Sequence, residues 1–278
     1  MQIGIRLHDT KNLPLKDRLD EVNRQGFSCI HLALSKVIKE NSVAPEALTP
    51  GYAMYLKRLF ADKGLDIAVL GCYLNLANPN AEKLKSTVEK YKAHIRFASL
   101  LGCGVVGTET GAPNEAYKYE PACHGEEALE LFIRNLRPVV EYAEKMGVIF
   151  AIEPVWKHIV WNPERARKVL DEIHSPNLQI ILDPVNLLDI SNYERQVEIV
   201  EEAIDLLGEE VAVVHIKDYI VRDGKLDSVA AGTGQMDYTA IMKFIKERKP
   251  YIHTTLENTV PENALQAKMH IQNLWEKA

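Results

Sequence analysis

The chain has 278 residues, of which 46% are hydrophobic and 26% charged, so it can bury a large core and has an ordinary globular composition. Its formal net charge is -6 without long runs of like charge, which argues against a general nucleic-acid-binding or membrane-binding surface. The N-terminus lacks the pattern of a signal peptide, and no apolar run approaches the roughly 18 residues of a membrane span. A cytoplasmic protein is therefore expected.

Taken in chain order, short apolar strands alternate with helices eight times. The strands are predicted at residues 2–7, 28–34, 66–73, 104–109, 148–153, 178–183, 211–215 and 251–257. The helices are predicted at residues 15–25, 51–63, 81–101, 126–146, 163–173, 192–207, 238–248 and 261–277. A polar loop is expected from 216 to 234. Each strand-helix unit is about 35 residues long, as in a (β/α)₈ barrel.

An open, doubly wound sheet uses the same units, but it would place a glycine-rich phosphate loop after the first strand. No such loop follows residues 2–7. We therefore predict an α/β protein with one TIM-barrel domain over residues 1–278 and the active site at the C-terminal ends of the strands.

Each of the last four predicted strands ends on a side chain that can bind a metal ion. V-I-F-A-I-E ends at Glu153, L-Q-I-I-L-D at Asp183, V-A-V-V-H at His215, and Y-I-H-T-T-L-E at Glu257. In a barrel these neighbouring ends converge on one face, where three carboxylates would repel one another unless a cation neutralised them. We predict one shared divalent ion, and the ligand types allow manganese, magnesium, cobalt or zinc.

The motifs around these four residues, together with a glycine-containing loop, also carry a family resemblance. They read A-I-E-P-V, I-L-D-P-V-N, V-V-H-I-K-D, G-T-G-Q-M-D-Y and L-E-N. With them the chain resembles the xylose-isomerase-like TIM-barrel superfamily of sugar and sugar-phosphate isomerases and epimerases. The resemblance implies that Glu153, Asp183, His215 and Glu257 bind one divalent metal, and that Glu153 and Glu257 also flank the substrate carbon as acid/base groups. Proton transfer would pass through a metal-stabilised enediolate.

Further polar and aromatic residues near the strand ends are candidates for substrate binding. They are His8, Glu109, Trp156, Asn186 and Lys217. Trp156 is interpreted either as a sugar platform or as loop packing, and Lys217 either as a substrate contact or as an ion-pair partner. Glu109 has the same two readings, structural or substrate-binding. His31 and His253 lie within apolar strands and are interpreted as hydrogen-bonded core histidines.

The chain departs from the ketose 3-epimerases of the superfamily at two positions. Asn186 stands where those enzymes have a substrate-binding histidine, and Ile159 stands where they have a second glutamate. The main alternative is a keto-inositol (inosose) dehydratase on the same metal site. An apurinic endonuclease is disfavoured because its additional histidines are missing, and a non-catalytic sugar-binding barrel is a third class. The expected partner is a small sugar or polyol, with a homo-oligomer allowed and neither nucleic acid nor membrane involved.

Overall fold

Eight parallel strands form a closed barrel in the computed structural model, which describes residues 1–278. The chain has ten strands in all, namely β1 (Gln2–Arg6), β2 (Cys29–Leu32), β3 (Asp66–Gly71), β4 (Val105–Glu109), β5 (Ile149–Glu153), β6 (Leu178–Leu182), β7 (Val211–Ile216), β8 (Asp218–Arg222), β9 (Lys225–Val229) and β10 (His253–Leu256). All except β8 and β9 belong to the barrel, in the order β1-β10-β7-β6-β5-β4-β3-β2, and β1 also pairs with β2. The predicted (β/α)₈ architecture is confirmed.

Helices connect successive barrel strands. They are α1 (Leu15–Arg24), α2 (Leu34–Val37), α3 (Pro50–Ala61), α4 (Ala81–Leu101), α5 (Glu126–Met146), α6 (Pro163–Ile173), α7 (Gln196–Leu207), α8 (Thr239–Arg248) and α9 (Ala264–Lys277). Helices α7 and α9 begin later than predicted because Asn192 and Asn263 accept backbone N–H groups of the preceding turns instead. None of the helices combines the length and apolar character required to cross a membrane.

The segment that follows β7 is a β-hairpin, so the polar loop predicted from 216 to 234 is partly wrong. Strands β8 and β9 pair in antiparallel fashion, with Arg222 opposite Lys225. The two turn residues, Asp223 and Gly224, have φ values of 50° and 70°. Positive φ at both central positions is the geometry of a two-residue hairpin turn, for which Asp-Gly is a preferred pair. The hairpin is an insertion at the face of the barrel that carries the strand ends.

Asp218, at the start of this hairpin, organises the loop that returns to α8. Its buried carboxylate accepts hydrogen bonds from the backbone N–H groups of Tyr219, Gly232, Gly234 and Met236, at 2.8 to 3.1 Å. A β-carbon at Gly234 would collide with the carbonyl oxygen of Tyr219 and would lie 2.5 Å from Asp218 Oδ1. Gly234 is thus required by close packing around Asp218, whereas Gly232 has a φ of 82° and lies against the ring of His270.

Gly234→Ala is therefore expected to lower the free energy of unfolding by about 1–3 kcal/mol, the usual cost of overpacking a filled site. Gly51→Ala is the matched control, because a β-carbon there meets nothing within 4 Å. That control should be neutral or slightly stabilising, since alanine is the better helix former. Urea unfolding of the three proteins measures the difference, and equal stability of the two variants would contradict this role for Gly234.

The barrel interior is filled below the strand ends by a small apolar cluster. Val69, Ala151, Ile181 and Val213 form it, and all four are fully buried. Side chains alternate along a strand, so the residue two positions further along also points inward. Glu153, Asp183 and His215 lie two positions after Ala151, Ile181 and Val213, so their side chains also point into the barrel. The apolar cluster is thus the floor beneath the predicted metal ligands.

Candidate functional site

Seven of the barrel's eight strand ends contribute a charged or imidazole side chain to the inner side of the mouth. They are Arg6, His31, Glu109, Glu153, Asp183, His215 and Glu257. The register of the paired strands places Arg6 opposite His31 and Glu109 opposite Glu153.

The four predicted metal ligands are brought together. One ligand atom from each of Glu153, Asp183, His215 and Glu257 lies within 4.8 Å of the others, and all four side chains are buried. His215 Nδ1 is 3.2 Å from Glu153 Oε1 and 3.3 Å from Glu257 Oε1. Donors bound to one ion at about 2.0–2.2 Å are themselves about 3.0–3.4 Å apart. The donor set therefore fits a divalent cation.

The crowding of carboxylates changes the protonation of the cluster. Burial alone would lower the pKa of His215, but the carboxylates of Glu153 and Glu257 raise it to about 9. Burial likewise would raise the pKa of Glu257, yet His215, Lys217 and Arg6 hold that pKa far below its usual range. The pKa of Asp183 is raised by burial. The site thus needs positive charge, here supplied by protonated His215 and by two neighbouring cations.

Lys217 and Asn186 link the carboxylates to one another. Lys217 Nζ lies 2.8 Å from Asp183 Oδ2 and donates to Asn186 Oδ1 at 2.6 Å. The amide of Asn186 in turn donates to Glu153 Oε1 at 2.7 Å. Of the two interpretations offered for Lys217, the ion pair is therefore observed. Asn186 thus lies beside the four predicted metal ligands, at the position where the ketose 3-epimerases are expected to have a histidine.

Glu109 forms a separate polar group beside Glu153. Tyr117 donates a hydrogen bond from its hydroxyl to Glu109 Oε2 at 3.2 Å, and His158 Nδ1 lies 3.7 Å from the same oxygen. The ring of His158 stacks on that of Tyr117. Burial raises the pKa of Glu109. Neither Tyr117 nor His158 was predicted to belong to this group, because both lie in loops whose course depends on tertiary contacts.

His8 and Trp156 lie at the edge of the site. His8 belongs to a single 3₁₀ turn after β1, and its ring packs edge-on against His31 at a centroid distance of 6.2 Å. Burial and the nearby Arg6 lower the pKa of His8 to about 4, so it is neutral at neutral pH. Trp156 is held by its backbone N–H, which donates to the carbonyl of Asn186 at 2.7 Å. Its ring packs among Tyr119 and His124 in an aromatic cluster.

His31 is the main residue whose position was not predicted. It is only 1% exposed, as expected for a core histidine, but its Nδ1 lies 3.8 Å from Glu257 Oε1. Strand β2 ends at Leu32, one residue after His31 and earlier than predicted, so His31 lies at a strand end as the other site residues do. The core assignment of His253 is wrong: it begins β10 at the opposite end of the barrel, is partly exposed, and lies 3.3 Å from Asp66.

Comparisons with known proteins agree with the geometry. The sequence matches the family described as xylose isomerase-like TIM barrel over residues 19–273. A probable L-ribulose-5-phosphate 3-epimerase of Mycoplasma pneumoniae, UlaE, is 27% identical over 215 residues, which is 72% of this chain and 66% of that protein. The match thus spans slightly less than two thirds of the relative's length.

Two solved structures are similar along their whole length. A D-tagatose 3-epimerase-like protein is 21% identical, with a TM-score of 0.78 over 100% of this chain and 98% of that one. The IolI protein, crystallised with a zinc atom, is 20% identical, with a TM-score of 0.75 over 100% of this chain and 99% of that one. At these identities the structural likeness shows the fold.

Proposed function

Because the chain belongs to the xylose isomerase-like TIM barrel family, we propose that it is a divalent-metal-dependent sugar isomerase or epimerase. The reaction moves a proton on the carbon beside a carbonyl group, and Glu153 and Glu257 act as the acid/base pair. Named epimerases among its relatives support the reaction class. The four buried donors at the strand ends support the metal requirement.

The placement of the two glutamates on opposite sides of His215 is the observation that carries this proposal. Their Oε1 atoms lie 3.2 and 3.3 Å from the same His215 Nδ1. The strands that hold them, β5 and β10, are separated in the barrel by β6 and β7. A small substrate bound above this cluster would meet one carboxylate from the side of β5 and the other from the side of β10. Removal of a proton from one face and its return to the other inverts the carbon.

Glu153, Asp183, His215 and Glu257 would hold the ion. When bound, a divalent cation polarises the carbonyl and adjacent hydroxyl oxygens of a sugar and so stabilises the negative charge that develops on proton removal. His215 would bind the ion only as a neutral imidazole, without the proton that the neighbouring carboxylates otherwise favour on it. Asp183 takes no part in proton transfer, since both its oxygens are engaged by Lys217 and by backbone N–H groups.

The proton transfers are assigned to the two glutamates, and neighbouring side chains hold both carboxylates in position. A carboxylate accepts the C–H proton while the bonding electrons move onto the carbonyl oxygen. The opposite glutamate, protonated beforehand, then donates its proton to the other face of that carbon, and the electrons on oxygen reform the carbonyl. Arg6, 3.0 Å from Glu257 Oε2, holds that carboxylate in place and favours its ionised form. Asn186 holds Glu153 in position by its hydrogen bond.

The remaining rim residues form the proposed substrate wall. Glu109 is partly exposed beside Glu153, and its side chain is fixed by Tyr117, which suits recognition of a sugar hydroxyl. Neutral His8 adds a ring nitrogen, Nδ1, that has no hydrogen-bond partner within the protein. Trp156 supplies an aromatic surface nearby. These contacts fit a polyhydroxy substrate better than an apolar one.

Hydrogen exchange in heavy water tests the proposal. Metal-loaded protein is incubated with a panel of ketoses, ketose phosphates and inososes, and products are analysed by mass spectrometry and NMR. The expected result is a new epimer or isomer that carries one deuterium and has not lost water. Loss of water would instead indicate a dehydratase. Binding of a sugar without any exchange would contradict the proposal and favour a binding protein.

A further inference from the structure

The imidazole of His31 is buried at the barrel mouth with one nitrogen free. Its Nε2 lies 3.3 Å from the hydroxyl of Tyr73, whereas its Nδ1 has no hydrogen-bond partner. The side chain is 1% exposed, so water does not substitute. An unsatisfied buried polar atom costs about 1–3 kcal/mol. Such an atom requires a reason for being retained, and a ligand that is bound in the working protein supplies one.

Nδ1 of His31 faces two of the predicted metal ligands, Glu257 and His215. His31 Nδ1 lies 3.8 Å from Glu257 Oε1, and the ring stacks on His215 with centroids 5.1 Å apart and planes 23° apart. One ligand atom from each of His31, His215 and Glu257 lies within 4.8 Å of the others. Glu257 Oε2 is directed to Arg6, so Oε1 is the oxygen that shares this space with the two imidazoles.

Asp183 is in the opposite situation. Its Oδ1 accepts the backbone N–H groups of Val185 and Asn186 at 3.0 and 3.2 Å, and its Oδ2 lies 2.8 Å from Lys217 Nζ. Both oxygens of the aspartate therefore have a close charged or N–H neighbour, whereas His31 Nδ1 has no hydrogen-bond partner. On the His31 side, two imidazoles and Glu257 Oε1 converge.

We propose that His31 is a further ligand of the metal ion, so that two imidazoles bind it and the site selects zinc or cobalt over manganese and magnesium. This inference rests on the metal-dependent function proposed above. Catalytic zinc sites include sets with two histidines and a glutamate, and His31 would bring the number of imidazole donors here to two. Imidazole nitrogen suits zinc, whereas magnesium and manganese favour sites made of oxygen ligands.

The surroundings of His31 match those of a ligand histidine. Such residues bind metal through one nitrogen while the other is oriented by a hydrogen-bonding partner, and Tyr73 occupies that place. The barrel also makes room for the pair. A β-carbon at Gly71 would collide with His31 Nε2 and lie 2.7 Å from the ring of Tyr73. Strand β3 therefore carries glycine where the His31 ring needs space.

His31→Gln and Tyr73→Phe together test the assignment. Glutamine retains a polar atom near Tyr73 but removes Nδ1, whereas phenylalanine removes the Tyr73 hydroxyl and leaves Nδ1 in place. Each metal-free protein, checked for folding by circular dichroism, is titrated calorimetrically with Zn²⁺ and Mn²⁺. Tyr73→Phe removes an outer partner and should itself lower metal affinity about 10- to 100-fold, but it should leave the zinc-over-manganese affinity ratio nearly unchanged because Nδ1 stays in place. His31→Gln removes a ligand, so it should lower zinc affinity at least about 10-fold and also reduce that ratio.

X-ray absorption at the zinc edge counts the imidazoles directly. Two are expected in the wild-type protein and in Tyr73→Phe, and one in His31→Gln. A single imidazole in the wild-type protein, or an unchanged metal ratio in His31→Gln, would overturn the role of His31 while leaving the metal-dependent function intact. Failure of the wild-type protein to bind any divalent ion would overturn both, so the two failures are distinguishable.

Discussion

Glu257→Gln is expected to abolish interconversion of the two epimers, with a loss of about 10²- to 10⁴-fold, the usual contribution of a positioned acid or base. Glutamine has the same shape but does not accept a proton. Glu257 is buried, and the neighbouring cations hold its pKa far below the usual range, so in the wild-type protein it is ionised at neutral pH. Deuterium exchange should be lost for the epimer whose C–H faces Glu257.

The complementary variant separates the two faces of the substrate. Glu153→Gln should also abolish interconversion, but exchange should now be lost for the other epimer. Glu262→Gln is a suitable control, since Glu262 is an exposed residue shortly after the same barrel strand. Metal content must be measured for every variant, because both glutamates also belong to the ligand set. Near-wild-type interconversion in metal-loaded Glu257→Gln would remove Glu257 from the proposed mechanism.

The part of the site that could be predicted from sequence is the part determined by strand periodicity. Each of the segments ending at Glu153, Asp183, His215 and Glu257 is an apolar strand followed by a polar residue. A parallel barrel brings all such ends to one face. Their convergence within 4.8 Å therefore followed from the fold class alone, without any knowledge of loop geometry.

Strand periodicity did not identify His31 as a site residue, because its strand does not change from apolar to polar after the histidine. It lies in C-I-H-L-A-L, where apolar residues continue past the histidine, so nothing marked the strand end. Burial was predicted correctly, but burial does not distinguish a core histidine from a ligand. Only the direction of Nδ1 toward Glu257 does so, and that direction depends on the packing of Tyr73 and Gly71.

Loop contacts set a second limit on sequence reasoning. The Asp223-Gly224 turn carried a local signal for a hairpin, and it was outweighed by the polar character of the surrounding segment. By contrast, no local signal connects Tyr117 or His158 to Glu109. These residues meet because the loops after β4 and β5 pack together, with Ile159 donating its backbone N–H to the carbonyl of Gly111. Such contacts are determined by tertiary structure.

Asp183→Asn is expected to remove most of the metal affinity of the protein. The change keeps the side-chain oxygen that accepts the N–H groups of Val185 and Asn186 but removes one of the negative charges that attract the cation. A ligand at 100 times its Kd stabilises a folded protein by about 2.7 kcal/mol. In the wild-type protein we therefore expect Mn²⁺ or Zn²⁺ to raise Tm by several degrees and EDTA to reverse the rise.

Comparing each protein with and without metal cancels any change in the stability of the metal-free fold, which matters because Lys217 loses its partner in Asp183→Asn. The Tm shift on adding metal should be small or absent in this variant and unchanged in Asp205→Asn, whose side chain is exposed on α7. Metal analysis of the wild-type protein should find about one ion per chain, as a single shared site requires. Full activity in EDTA-treated, metal-free protein would rule out the shared site as the source of catalysis. If Asp183→Asn still showed the Tm rise on adding metal, only Asp183 would be excluded from the metal site.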